Sequence, residues 1–346
     1  MMKGKKYCLL MALALGSAAW ANAADSETVD KTPKINGTVR AKYEYQTQES
    51  ESRFEVRTAR LSVAGNVSKV VGYKAEIDLC DEGQIKMLDA YVRLKPWKTL
   101  QVTIGQERVP FTIDAHRSPH QQFFANRSFI AKQVGNVRDV GFEVGYTWNA
   151  GFPIVLNAGI FNGSGLTGQK DFWTKNINYS AKLQFLFPSV NLVLSTQKTK
   201  PSDVTINMYD LGVTFHHGNF IAEAEYLYKH YSRNAFHDVH AFDAFACYDF
   251  NLKNQKLIKK ISPLVRYDYM SDHSDGKRYD ATEGNNGFLK VNDYKRSRIT
   301  AGVTLSLSKP FISDIRINYE KYFYRHDAVP KTSEKDKIVV EFMTRF

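Results

Sequence analysis

The sequence predicts an all-β chain folded as a transmembrane, up-and-down antiparallel β-barrel of about sixteen strands. Three observations carry this expectation. Period-2 alternation of apolar and polar residues recurs through the chain, with almost no helical periodicity after residue 24. Each alternating segment offers about 8 to 12 residues, the length a tilted strand needs to cross a bilayer. The connections between segments are short and long by turns, as in a barrel with tight turns at one rim and loops at the other.

The chain opens with Lys3, Lys5 and Lys6, then an apolar stretch from Tyr7 to Leu15, then small residues ending Ala21-Asn22-Ala23. That order is basic, apolar, then a small-x-small cleavage site, so residues 1–23 read as a signal peptide removed near Ala23. Residues 24–346 remain as a single barrel domain. Beyond the leader no apolar run approaches the ~18 residues a spanning helix needs, which excludes a bundle of membrane helices. Cleavage removes three lysines and no acid, so the net charge of +11 falls to +8. It also removes Cys8. Cys80 and Cys247 are left too far apart in strand order to suggest a disulfide framework or a zinc site.

Sixteen segments begin near residues 34, 53, 72, 87, 99, 138, 154, 177, 190, 205, 220, 239, 261, 296, 315 and 337. In the first, Ile35, Val39, Ala41, Tyr43 and Tyr45 share one face, and Asn36, Thr38, Arg40, Lys42 and Glu44 the other. Val140-Phe142-Val144-Tyr146-Trp148 and Phe242-Ala244-Ala246-Tyr248-Phe250 repeat the pattern, as does Ile299-Ala301-Val303-Leu305-Leu307. Several apolar faces end in Tyr, Phe or Trp, which suits lipid and its aromatic girdles, while the charged face suits a water-filled lumen. A soluble sandwich also alternates, but it has no reason to alternate its loop lengths. Connections near 66–71, 95–98, 149–153, 188–189, 216–219 and 308–314 are short. Those at 106–137, 162–176, 271–295 and 325–336 are long. The lysine-rich 251–260 is a longish exception on the short side. An even strand count leaves both termini on the short-turn, periplasmic side.

The last segment, Lys337 to Phe346, sets Val340, Phe342 and Phe346 against Glu341 and Arg345. It resembles the carboxy-terminal signal by which barrel assembly machinery recognises outer-membrane barrels, with Phe346 as its last residue. Several further segments resemble the phosphate-selective porin O and P family. They are Arg53-Phe54-Glu55-Val56-Arg57-Thr58-Ala59-Arg60-Leu61, Leu88-Asp89-Ala90-Tyr91-Val92 and Ile104-Gly105-Gln106-Glu107-Arg108-Val109-Pro110-Phe111. Asn126-Arg127-Ser128, Arg138-Asp139-Val140-Gly141, Gly159-Ile160-Phe161-Asn162-Gly163 and Val265-Arg266-Tyr267-Asp268 follow in the family's order. The resemblance implies a homotrimeric porin in the outer membrane of a Gram-negative bacterium, surrounded by lipid. It also implies a third external loop, here residues 106–137, folded inward to narrow the lumen.

A pore selects by the charges at its narrowest ring, not by total charge. Strand parity puts Arg40, Arg57, Arg60, Lys74, Arg93, Lys182, Arg266, Arg298 and Arg316 on the lumen wall. It puts Glu44, Glu76, Asp78, Asp89, Glu143, Glu223, Glu225, Asp268 and Glu320 there too, so the wall is mixed. Much of the surplus positive charge falls instead in periplasmic turns, at Lys69, Lys95, Lys98, Lys253, Lys256, Lys259, Lys260 and Lys309. Within 106–137, Arg108, Arg117, Arg127 and Lys132 face only Glu107 and Asp114, with His116 and His120 able to protonate. These are the candidate constriction residues. Arginine suits small anionic solutes of the phosphate type because its planar fork donates paired hydrogen bonds. The expected function is a passive, anion-preferring diffusion channel. The alternative is a receptor, adhesin or scaffold acting through the long external loops.

Catalysis finds little support. Gly163-Ser164-Gly165-Leu166-Thr167-Gly168 has the G-x-G-x-x-G spacing, but no helix pattern follows to receive a dinucleotide. His216-His217 and His237 with His240 lack a third metal ligand. No G-x-S-x-G elbow occurs. No cofactor, metal or nucleic-acid partner is expected.

Overall fold

The computed structural model describes residues 29–346 apart from 82, 134–137, 167, 254, 278–288, 308–311 and 326–327. The leader, Lys309 and parts of the 106–137 and 271–295 loops lie outside the described residues.

The strands are β1 (Lys34–Gln46), β2 (Glu51–Asn66), β3 (Val71–Asp81), β4 (Gln84–Trp97), β5 (Leu100–Arg108) and β6 (Arg138–Asn149). Next come β7 (Pro153–Phe161), β8 (Asn178–Leu186), β9 (Val190–Thr199), β10 (Ile206–His217) and β11 (Phe220–Tyr231). The last are β12 (Val239–Tyr248), β13 (Ile258–Met270), β14 (Arg296–Leu307), β15 (Ile312–Tyr324) and β16 (Lys337–Arg345). β12 breaks at Asp249 and resumes over Phe250–Asn251, still paired with β13. All sixteen begin within three residues of the positions read from alternation.

Each strand pairs antiparallel with the next, and β16 pairs with β1 from Thr38↔Arg345 to Gln46↔Lys337. Two backbone hydrogen bonds between Gly37 and Phe346, of 2.8 and 3.0 Å, extend that seam. Closure is what a bilayer demands, because an unpaired strand edge leaves N–H and C=O groups without partners in hydrocarbon.

Burial runs opposite to a soluble protein. Arg298, Glu320 and Glu341 are fully buried inside, while Phe54 is 85% exposed on the outside. Along β1 the buried side chains Thr38, Arg40, Lys42, Glu44 and Gln46 share the parity assigned to the lumen. Arg57 and Arg60 have opposite parity yet both belong to the inner face. A bulge reconciles them: Arg40 pairs with Thr58 and Ala41 with Val56, so Arg57 is the extra residue between.

Aromatic residues form belts at both ends of the outer face. Phe152 packs on Phe187 at 4.3 Å and Phe215 on Phe220 at 6.2 Å near the short turns. Tyr209 stacks on Tyr228 at 6.4 Å near the other rim. Tyr209 and Phe215 are separated along β10 by about 20 Å at ~3.3 Å per residue, which approaches the ~25 Å apolar band of such barrels. The loop rim is less uniform than alternation of lengths suggests, since the β1–β2 turn spans only 47–50 and the β3–β4 turn only 82–83.

Candidate pore lining

Between β5 and β6, residues of the segment 109–133 pack against side chains on the inward parity of the strands. Val109, Phe111, Ile113, Ala115, Phe124, Phe129 and Ile130 are all buried. Their partners include Ile206, Met208, Leu227, Val239, Ala241 and Met270, which are apolar although their parity points them inward. This inner patch is a seat for the segment. Burial of Phe111, Phe129 and Ile130 stabilises the docking by about 1.5–3 kcal/mol each. A second contact sets Phe123 and Phe124 against Phe245, at 4.6 and 5.7 Å between ring centroids.

Polar pins surround the seat. Lys182 donates to the Thr112 carbonyl at 2.5 Å, and Ser195 accepts the Thr112 N–H at 3.1 Å. Glu225 accepts the N–H of Ile113. Asn318 accepts the Ala125 N–H at 2.8 Å, and Arg40 donates to the Ala125 carbonyl at 2.8 Å. Arg298 donates to the Arg127 carbonyl at 2.7 Å, and Arg266 to the Asn126 carbonyl at 3.2 Å. A short helix, α1 (Phe129–Gln133), follows.

The candidate constriction residues divide by what they touch. Arg117 grips Glu223 with both guanidinium arms, one at 2.8 Å. Arg108 donates to the carbonyls of His116 at 2.8 Å and Arg117 at 2.6 Å, which folds the segment on itself. Arg127 donates to the carbonyls of Arg117, at 2.7 Å, and Asp114. Much of the hydrogen-bonding capacity of these arginines is therefore used to hold the segment, which their spacing in sequence does not disclose. His116 and Lys132 are exposed.

His120 differs from the sequence reading. Its Nε2 lies 2.9 Å from Arg345, and burial together with that cation holds it down at about 4. It stays neutral at physiological pH. His120→Gln is therefore expected to leave the zero-current potential in a salt gradient unchanged at pH 6, and a shift at that pH would mean the ring is charged.

The wall cations form two groups. Under the segment, Arg266 pairs with Asp268 at 2.9 Å, and Arg298 with Asp268 at 3.0 Å and Glu320 at 3.4 Å. Arg316 pairs with Glu341 at 2.7 Å and Arg40 with the same carboxylate at 2.5 Å. Their side chains are 0–4% exposed. Across the lumen, on β2, β3 and β4, the side chains of Arg57, Lys74 and Arg93 are 28%, 26% and 26% exposed, and that of Arg60 is 14%. The free space of the lumen therefore lies on that side. Acids accompany these cations: Arg60 meets Asp78 at 2.8 Å, Lys74 meets Glu76 and Asp89 at 2.6 Å each, and Arg93 meets Glu107 at 3.1 Å. Burial lowers Arg127 to about 10 against the opposing pull of Asp114, and Arg40, Arg60 and Arg138 add like-charge repulsion.

The glycine-spaced motif after β7 already holds an anion of the protein's own. Asp139 accepts the N–H of Gly163 at 2.6 Å and of Gly165 at 3.2 Å, and the Ser164 hydroxyl at 3.3 Å. Both glycines have positive φ, 88° and 68°, which turns successive N–H groups towards one acceptor. The carboxylate occupies the place that a phosphate takes in a nucleotide site.

A closed barrel with charged residues inside and an apolar outer face flanked by aromatic belts defines an outer-membrane porin-type channel. Residues 34–184 match the model of the family described as phosphate-selective porin O and P, and over that stretch the resemblance read from the sequence holds. A comparison with curated proteins gives no match. Among solved structures, the fold resembles the anion-selective porin from Comamonas acidovorans, at 14% identity and a TM-score of 0.61, covering 91% of this chain and 99% of that one. It also resembles OmpT of Vibrio cholerae in its trimer form (12% identity, TM-score 0.60, 91% and 99% covered). Pseudomonas putida OprB is similar in the same way (10% identity, TM-score 0.64, 91% and 94% covered). Identities this low speak for the fold alone. The fold and the family match together place the protein in the outer membrane of a Gram-negative bacterium.

Proposed function

We propose that the protein is a passive diffusion channel for small hydrophilic solutes, passing anions ahead of cations. The observation that carries this reading is the set of part-exposed cations Arg57, Arg60, Lys74 and Arg93 on β2–β4. The segment 106–137 forms the waist as the third external loop, with Arg108 and Arg127 towards Arg57, Arg60, Lys74 and Arg93, and Lys132 towards the β14–β16 wall. Wall carboxylates keep the passing anion from binding too tightly to leave, since conduction needs weak sites as well as attractive ones. Phosphate-type anions are the solute class favoured by the family match over residues 34–184 and by the forked donors of arginine. The trimeric form of a structural neighbour supports a homotrimer.

The test is conductance in planar bilayers, with phosphate set against chloride and a salt gradient to read ion preference. A zero-current potential on the cation side would end the anion reading. Absence of any conductance from folded barrels would end the channel reading and favour a receptor or adhesin.

Phe346 is proposed as the terminal signal for insertion. Deletion of Phe346 removes two backbone bonds to Gly37 and the ring that covers that glycine. A severalfold fall in heat-modifiable, folded barrel recovered from outer membranes is expected, and an unchanged yield would refute the role.

A further inference from the structure

On the outward face of β7–β11 the barrel wall carries a groove of about 540 Å3. Its floor is apolar, built from Leu156, Leu183, Leu194 and Leu211, and Tyr209, Tyr226 and Tyr228 line it as well. The depression arises where small side chains stand in register, Ala158 beside Ala181 and Ala181 beside Thr196, before the row continues to Tyr209 and Tyr228. One step nearer the loop rim, the next row begins with Tyr179 paired with Lys198. The Lys198 ammonium sits 5.7 Å from the centre of the Tyr179 ring. Among the described residues no carboxylate pairs with it. Lys200 follows at the same parity. Nearby Asp238 is engaged by the Tyr228 hydroxyl at 2.6 Å and by His230 at 2.8 Å.

We propose that this groove seats an acyl chain of a phosphorylated outer-leaflet lipid, whose phosphate is received by Lys198. Volume, polarity and position agree. A methylene fills about as much space as a water, ~30 Å3, so the groove holds about 18 such units, which suits one fatty acyl chain. The apolar floor lies towards the membrane centre and the cation lies at the loop rim, where the headgroups of the outer leaflet are. A lysine with a flexible stem above an aromatic ring meets a phosphate at the interface without leaving the lipid face. A second copy of this chain would meet the same groove without a phosphate for Lys198. The proposal is independent of ion selectivity, since the groove and the lumen lie on opposite faces of the sheet.

The test compares the wild type with Ala181→Trp, which fills the groove, and Lys198→Glu, which opposes the phosphate and leaves the shape intact. Each is extracted from outer membranes in mild detergent, exchanged extensively, and analysed by native mass spectrometry and by phosphate assay. Heat-modifiability on gels confirms that each barrel is folded. The wild type is expected to retain phosphorylated, acylated lipid, about one per chain, and each variant to lose about tenfold of it, with single-channel conductance unchanged. Retention at the wild-type level by either variant would overturn the proposal. Loss of oligomers in Ala181→Trp with lipid content unaltered would also overturn it, and would assign the groove to a second copy.

Discussion

Replacement of Phe129 and Ile130 by aspartate is expected to raise single-channel conductance by about twofold or more, because current follows the open cross-section at the waist. Both side chains are at most 3% exposed, packed against the inner apolar patch of β10–β13. Their loss removes about 3–6 kcal/mol of burial, and a carboxylate at position 130 is set into the apolar cluster, where burying it unpaired is costly. Phe129 also lies under two guanidinium groups, with Arg296 at 4.8 Å and Arg298 at 4.7 Å from its ring. A carboxylate at position 129 meets those cations, so release of the segment rests on position 130. The sixteen paired strands do not depend on this contact, so the barrel should still resist unfolding in detergent. Bilayer recordings on folded protein decide the matter. An unchanged conductance would mean that the segment 106–137 does not set the waist.

Double reversal, Arg60→Glu with Arg127→Glu, is expected to move ion preference strongly towards cations. Two unit charges ~4 Å apart in water interact by ~1 kcal/mol, and each reversal changes the local charge by two units. Screening over a Debye length of ~8 Å removes about half of this at physiological salt. The sum is about 2 kcal/mol, enough to change the permeability ratio by roughly tenfold or more. A useful contrast is Arg298→Gln. Arg298 has no exposed surface and pairs with Asp268 and Glu320. Its loss should cost about 3–5 kcal/mol by stranding buried carboxylates while leaving preference nearly unaltered. If the reversal potential of the double mutant stays with the wild type, the placement of the narrow region on the β2–β4 side is wrong.

Strand starts and facing were legible because a bilayer punishes any departure from apolar-out alternation and from complete backbone pairing. Hence Ile35 and Val39 could be placed on the lipid face, and Arg40 and Lys42 inside, from parity alone. The bulge at Arg57 was not legible as such, since one extra residue leaves the local composition unchanged. The partners of the loop arginines were hidden for a different reason. Glu223 stands 106 positions from Arg117, and only the folded barrel brings them together. One signal was present and unread: Ile206, Met208, Leu227, Val239, Ala241 and Met270 are apolar on the lumen parity. In a wall meant for water, such a run requires a cover, and the phenylalanines of 109–133 are the matching half. His120 was misread because its neighbour, Arg345, lies at the opposite end of the chain.

The lopsided lumen has a consequence for how such a chain can diversify. Ion pairs beneath the docked segment tie together β13–β16 and β1, so a change there disturbs the scaffold. The cations Arg60, Lys74 and Arg93 on β2–β4 are part-exposed, and their ion pairs stay within that wall and its neighbour β5. Substitutions on those three strands can retune which solutes pass while the scaffold goes on folding as before. Architecture and taste in cargo are thus written in separate stretches of one sheet, and a lineage can alter the second without risking the first.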